Sequence, residues 1–170
     1  MNYNLKNKRA LVTGGSRGIG AAIVTRLAQE GAHVAFTYSR SPDRAAEIVK
    51  AAQALGVKSL AIQADSADAG AVSGAVDRTV SELGGIDILI NNAGIGIFAP
   101  IDEFKLADFD RILAINVRAV FVATQAAVKH MTEGGRIINI GSTNAERMPF
   151  PGGAVYAMSK SALQTVLNTQ

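Results

Sequence analysis

The chain has 170 residues, 48% of them hydrophobic and 18% charged, the length of one domain and the composition of a packed globular protein. The net charge is only +3, and its Lys and Arg are scattered, so nucleic acid is not an expected partner. The chain has no cysteine, which excludes disulfides, thiolate nucleophiles and cysteine-ligated metal, and His33 and His130 are too far apart for a local metal motif.

A chain of this size buries about two-thirds of its unfolded surface, so a core needs no covalent staple. The apolar stretch Ala10-Leu11-Val12 is too short for a signal peptide, and no later segment reads as a bilayer span. The sequence therefore predicts no membrane partner and a cytoplasmic location.

Leu11 and Val12 run into glycines, after which Ile19, Ala22, Ile23 and Leu27 recur at helical spacing until Gly31. That pattern predicts strand, tight turn and helix. The alternation repeats as a strand over 33–38, a helix over 43–55 closed by Gly56, a strand over 58–63, a helix over 67–83 closed by Gly84-Gly85, and a strand over 86–90. Residues 106–131 are rich in alanine and apolar side chains, as expected of a helix packed on both a sheet and a neighbour. A strand over 136–140 and a helix from Ala154 onward complete the series.

Strands alternating with helices predict an α/β fold, a doubly wound parallel sheet with helices on both faces, because parallel strands need crossover connections. Residues 1–170 read as one domain without an internal linker. Ligands of such sheets lie outside the carboxyl ends of the strands, and the notable motifs fall there.

The first motif is Thr13-Gly14-Gly15-Ser16-Arg17-Gly18-Ile19-Gly20. Glycines at such a turn let the backbone approach a pyrophosphate at a helix N-terminus. Its spacing departs from G-x-G-x-x-G, and taken alone it reads equally as an ordinary turn. A P-loop is rejected because Ala21-Ala22 follow Gly20 where a Lys-Ser/Thr pair would be needed.

The second motif is Asn91-Asn92-Ala93-Gly94, whose small and amide side chains suit either a polar turn or the edge of a ligand site. In the third, Tyr156-Ala157-Met158-Ser159-Lys160, a phenol and an ammonium stand four apart and share a helix face. As a lone pair they would read as surface residues; in a cleft, a nearby cation favours phenolate and suits the tyrosine to proton exchange with an alcohol or carbonyl. Ser142, just after the strand over 136–140, is either a turn residue or a hydroxyl placed to bond the same oxygen.

Together, TGGSRGIG, NNAG, Asn116, Ser142 and YAMSK occur in order on matching elements, and from Lys6 to Leu163 the chain resembles the short-chain dehydrogenase/reductase family, including its 3-oxoacyl-(acyl-carrier-protein) reductase-like members. The resemblance implies a Rossmann-type fold and hydride transfer between a nicotinamide and a carbonyl or alcohol substrate. It assigns Tyr156 as the acid or base, Ser142 as the residue orienting the reacting oxygen, Lys160 as the partner of Tyr156 and of the nicotinamide ribose, and Asn116 as the holder of a water linking Lys160 to solvent. It places Gly14, Ser16, Gly18, Ile19 and Gly20 at the pyrophosphate turn, Asn92, Ala93 and Gly94 on the nucleotide side, and Asp65 and Ser66 beside the adenine. Asp65 reads equally as a helix cap.

An acid at the end of the second strand selects NAD by bonding the ribose 2′-hydroxyl. Here that end reads Thr37-Tyr38-Ser39-Arg40, with no acid. Arg17 and Arg40 can clasp a 2′-phosphate, with Ser39 or Ser41 adding hydrogen bonds, although solvated loop arginines would look the same. NADP(H) is expected in preference to NAD(H), which stays possible, and Tyr38, Ser39 and Arg40 count among the cofactor-binding residues.

Family members continue the last helix and add further strands and a substrate-covering loop. The chain therefore reads as C-terminally truncated, lacking the last strands, with its fifth strand an exposed edge. The competing expectation is a catalytically impaired nucleotide-binding protein of the same fold. The alanine-rich stretch 114–128 resembles the family's dimer helix and admits a homo-oligomer.

Overall fold

The structure is a computed structural model that describes residues 5–164. Five strands, β1 (Arg9–Val12), β2 (His33–Tyr38), β3 (Ser59–Gln63), β4 (Ile88–Asn91) and β5 (Arg136–Asn139), form one sheet in the order β3-β2-β1-β4-β5. Every pairing is parallel. The order reverses direction between β1 and β4, which opens a crevice at their carboxyl ends.

The helices are α1 (Gly18–Gln29), α2 (Pro42–Gln53), α3 (Ala69–Leu83), α4 (Leu106–Leu113), α5 (Ala119–Val128) and α6 (Ala154–Ser161). Alternate residues of the central strands feed two cores. Leu11, Ala35 and Leu89 face α3 and α5, packing with Val72, Val76 and Ala123. Ala10, Val12, Val34, Phe36 and Ile90 face the opposite layer, packing with Val24, Leu27 and Ala45. Because both faces are covered, the inner strands carry continuous apolar runs rather than an in-out alternation.

At the opposite end of the sheet from the crevice, Arg9 grips Asp87 through its Nε (2.7 Å) and Nη2 (2.9 Å), and Asp87 also accepts from the Arg9 backbone N–H (2.8 Å). The Arg9 guanidinium donates as well to the Gly84 carbonyl, tying β1 to the end of α3. The pair holds the Asp87 carboxyl below the usual carboxylate range through the hydrogen bonds from Arg9.

Several boundaries move. The fourth strand begins at Ile88 and includes Asn91, so the motif after it starts at Asn92. The helix expected over 67–83 starts at Ala69 because Asp68 caps it, accepting from Gly70 N (2.8 Å) and Ala71 N (3.1 Å); Asp65 instead accepts from Ala67 N within the preceding turn. The tail over 166–170, expected to prolong the last helix, lies outside the described residues.

The helix expected over 106–131 ends at Val128 and contains a π turn, Ala114–Arg118, between α4 and α5. A π turn inserts an extra residue into the helical repeat and redirects the side chains that follow. The expectation that nothing could span a bilayer is corrected on length and composition: Leu106–Val128 is a 23-residue helix with an 18-residue window of mean hydropathy 1.4. Half of that window is buried within the protein, where Ala123 and Ala127 pack in the same core as α3.

Candidate active site

The glycine turn is built by hydrogen bonds between the ends of β1, β2 and β4. Thr13, the first residue after β1, accepts at Oγ1 from Asn92 N and Ala93 N, each at 3.0 Å. The Asn92 side chain returns the contact, donating from Nδ2 to the carbonyls of Thr13 (2.9 Å) and Gly14 (3.1 Å). Thr37 at the end of β2 holds the other side, accepting from Gly14 N at Oγ1 (2.9 Å) and from Gly15 N at its carbonyl (2.8 Å).

Gly14 has φ +68°, where a side chain is disfavoured. Gly20 is required for space: a β-carbon there would overlap the Gly14 carbonyl and stand 2.6 Å from Asn92 Nδ2. Arg17, the N-cap of α1, makes no side-chain cap, so the first amides of α1 receive no hydrogen bond from it. Ser16, Gly18 and the 65%-exposed Ile19 complete a turn that offers an anion both the helix amides and room to approach.

Along the crevice, Thr13, Thr37, Ala64, Ser66, Ala93 and Ile115 line one cavity between the strand ends and α5. Tyr38 ends β2, and the loop beyond it is steadied by Gln63, whose Nε2 donates to the Ser39 carbonyl (3.3 Å). Arg17 and Arg40 are exposed, and among the described residues neither pairs with a carboxylate. Asp65 and Ser66 follow β3 on the same rim.

The third part of the site comes from α6 and the π turn. Lys160 is only 6% exposed, and its Nζ donates to the Ile140 carbonyl just past β5 (2.8 Å). Burial pushes its ammonium below the usual lysine value. Asn116 is fully buried; its Oδ1 accepts from Ile95 N and its Nδ2 donates to Ile95 O, both at 2.9 Å, and to Ser159 Oγ at 3.0 Å.

A β-carbon on Gly94 would stand 3.3 Å from Asn116 Oδ1 and 3.4 Å from Lys160 Nζ, so these three residues share one small space. Tyr156 lies one turn before Lys160 on α6, half-buried, with its ring 5.7 Å from that of Phe98. Ser142 caps a short 3-10 turn after β5, accepting from Asn144 N (3.2 Å), and Ser161 on α6 donates to Ala145 in that turn (2.6 Å). The residues singled out from sequence thus fall along one rim of the sheet.

Four participants were not singled out. Thr13 ties the two strand ends, Ile95 supplies the backbone that Asn116 grips, Ser159 fixes that amide, and Ile140 receives the lysine. Thr13 and Ser159 sit inside the quoted motifs, but their roles depend on partners far along the chain. The contributions of Ile95 and Ile140 are carbonyls and an N–H, which every residue carries.

A family model described as short chain dehydrogenase matches residues 8–169. The chain belongs to the short-chain dehydrogenase family. It is 48% identical to the cyclic-di-GMP-binding biofilm dispersal mediator protein of Escherichia coli (strain K12), across 92% of this chain and 62% of that one. Among solved structures, a short-chain dehydrogenase from Burkholderia cenocepacia J2315 in complex with NADP superimposes with a TM-score of 0.93 at 56% identity, covering 94% of this chain and 65% of that one. The short-chain dehydrogenase/reductase from Serratia marcescens BCRC 10948 gives a TM-score of 0.93 at 62% identity, with the same 94% and 65% coverage. The chain therefore spans slightly under two-thirds of the length of these relatives, and its doubly wound sheet is that of the family.

Proposed function

We propose that this chain is the nucleotide-binding and catalytic part of an NADP(H)-dependent oxidoreductase acting on a small carbonyl or alcohol. The observation that carries the reading is the convergence of Gly94, Asn116 and Lys160 beside Tyr156 at the carboxyl ends of β4 and β5. A buried ammonium needs a reason to stay buried, and a hydrogen-bonded lysine one helical turn from a half-exposed phenol is arranged for proton exchange.

The open space at Gly18, where a β-carbon would meet nothing within 4 Å, and the amides of α1 fit a dinucleotide pyrophosphate. Gly14, Ser16, Arg17, Gly18, Ile19 and Gly20 hold the diphosphate; Asp65 and Ser66 border the adenine; Asn92, Ala93 and Gly94 line the path toward the reacting end. Tyr38, Ser39 and Arg40, with Arg17, select the 2′-phosphate and hence NADP(H) over NAD(H). The Burkholderia relative holds NADP, which supports this choice.

When bound, the nicotinamide supplies or accepts hydride. The chain does the rest: Tyr156 gives its hydroxyl proton to the carbonyl oxygen during reduction and takes it back during oxidation. Ser142 hydrogen-bonds the same oxygen. Lys160, held by Ile140, favours the tyrosine's ionised form and bonds the ribose, while the Asn116 oxygen keeps a lone pair for a water on the proton's way to solvent.

The outer face of α5 exposes Phe121 (57%) and Val128 (37%), a surface suited to a second copy.

The test is thermal unfolding with NADPH, NADH or cyclic-di-GMP, followed by NADPH oxidation with carbonyl substrates. At about 100 times its dissociation constant, a nucleotide adds about 2.7 kcal/mol, or roughly 5–11 °C for this size. The expected result is a larger shift with NADPH than NADH and turnover abolished by Tyr156→Phe. A shift with cyclic-di-GMP alone would replace the reading with a nucleotide-binding protein of the same fold, and no shift with any of the three would overturn it.

A further inference from the structure

The π turn between α4 and α5 is tied to two separate loops. It closes with a hydrogen bond from Ala119 N to the Ala114 carbonyl. Asn116 and Arg118 stand two positions apart in it, a spacing that sends side chains to nearly opposite sides of a helix. Asn116 reaches the loop after β4 and α6. Arg118 turns the other way: its Nη2 donates to the carbonyl of Ala67, 51 positions earlier, at 2.7 Å.

Ala67 belongs to the short loop between β3 and α3. The sheet releases the chain at Ala64, whose N–H donates to the Tyr38 carbonyl (2.9 Å), and α3 takes it up at Ala69 under the Asp68 cap. Between these points the loop closes on itself, Asp65 accepting from Ala67 N at its side chain and from Asp68 N at its carbonyl, both at 2.9 Å. Arg118 fastens this loop from outside. Ile115 of the π turn and Ser66 of the loop line the same cavity, so turn and loop meet along one wall of the crevice.

Burial does not explain the contact. Arg118 is exposed, and among the described residues it pairs with no carboxylate. A long side chain gives up rotamer freedom to hold one geometry, and the group it holds is a carbonyl at an exposed contact that water can also serve. The bond therefore adds little to overall stability and acts on where the loop stands.

We propose that Arg118 is a positioning residue for dinucleotide binding: by holding Ala67 it sets the loop that carries Asp65 and Ser66 against the π turn, so that the adenosine end is received at a fixed distance from the turn that carries Asn116. This rests on the NADP(H) reading of the crevice. Without the bond the loop samples other positions, and apparent affinity falls with the fraction of chains in which it is correctly placed. One hydrogen bond biases that population by about two- to tenfold.

The experiment compares the full chain with Arg118→Met, which keeps an unbranched apolar stem and removes the donor. Without nucleotide, hydrogen exchange should quicken at the amides of Ala67 and Asp68 and stay unchanged in the strands, with the melting temperature within about 2 °C of wild type. Calorimetric titration should show NADPH and adenosine 2′,5′-bisphosphate weakened by the same factor, about two- to tenfold, at low and at high salt, because a lost long-range attraction is screened by salt and a lost placement is not. Should the methionine variant not fold, Arg118→Lys, which keeps the charge on a differently shaped donor, gives the same comparison with a smaller factor.

Unchanged affinity for both nucleotides, weakening of NADPH alone, a factor that vanishes in high salt, or exchange that quickens throughout the chain would each overturn the proposal. So would a loss of about a hundredfold, the mark of a direct charge contact with the nucleotide. A wild-type chain that binds neither nucleotide would remove the NADP(H) reading and the proposal with it, so the wild type alone tells the two failures apart.

Discussion

Asn116 and Ile95 form a reciprocal pair in which one side-chain amide satisfies both the N–H and the carbonyl of one backbone residue, each at 2.9 Å. The pair fastens the loop after β4 to the π turn between α4 and α5, and Ser159 fastens the same amide to α6. Three segments that carry the proposed chemistry are thus held by one buried side chain.

Replacing Asn116 with alanine leaves the N–H and carbonyl of Ile95 to find other partners, while the Ser159 hydroxyl keeps its bond to the Tyr156 carbonyl (2.7 Å). Each buried orphan costs about 1–3 kcal/mol, so Asn116→Ala should lose about 2–4 kcal/mol in urea unfolding once water repairs part of the gap. Asn116→Leu, which restores volume without hydrogen bonds, should not recover it; recovery would show that packing was the main contribution.

Lys160 should separate stability from activity. Burial lowers its folded-state value, so the unfolded chain binds more protons between the folded value and the usual lysine value, and this contribution to stability rises with pH through that window. Below the window the buried charge is unfavourable. Lys160→Met should therefore match or exceed the wild-type melting temperature at neutral pH, with the gap closing as the pH approaches the usual lysine range, while carbonyl reduction falls by about 100-fold or more.

Asp87 carries the opposite sign. Its carboxyl is held low by Arg9, so the stability it contributes is present above the usual carboxylate range and is lost as pH falls through the folded value. Its side chain is 14% exposed and that of Arg9 29%, which moderates the effect. Asp87→Asn should cost about 1–3 kcal/mol at neutral pH, and acid titration of both proteins should show the difference shrinking in strongly acid buffer.

The glycine turn is tested at Gly20, where alanine would drive a methyl into the Gly14 carbonyl and the Asn92 amide. Gly20→Ala should abolish the NADPH-dependent melting shift and, since overpacking costs about 1–3 kcal/mol, lower the melting point without nucleotide. A retained shift would mean that the pyrophosphate lies elsewhere.

Cofactor choice is tested at Arg40. Arg40→Asp should weaken NADPH binding at least tenfold and spare NADH, because a carboxylate repels the 2′-phosphate and bonds the 2′-hydroxyl. Fluorescence titration of both nucleotides measures the ratio; an unchanged ratio would remove Arg40 from the site.

The order of strands and helices, the two-faced core and the positions of Gly14, Gly20, Tyr156 and Lys160 were legible in the sequence because each depends on local spacing. Apolar side chains at a helical or strand repeat must face a core, and glycines between two such repeats mark where the chain turns. What the tertiary structure decided were the partners and the interruptions. The 106–131 pattern carried no mark of the π turn at Ala114–Arg118, since apolar spacing over so rich a stretch fits several helical repeats. Arg9 meets Asp87 across 78 positions and Asn116 meets Ser159 across 43, and the contact of Phe98 with Tyr156 depends on two loops meeting at Ala99 and Gly152. Local periodicity fixes which way a side chain points along its own element; which distant group it reaches is set only when the sheet order brings the strand ends together.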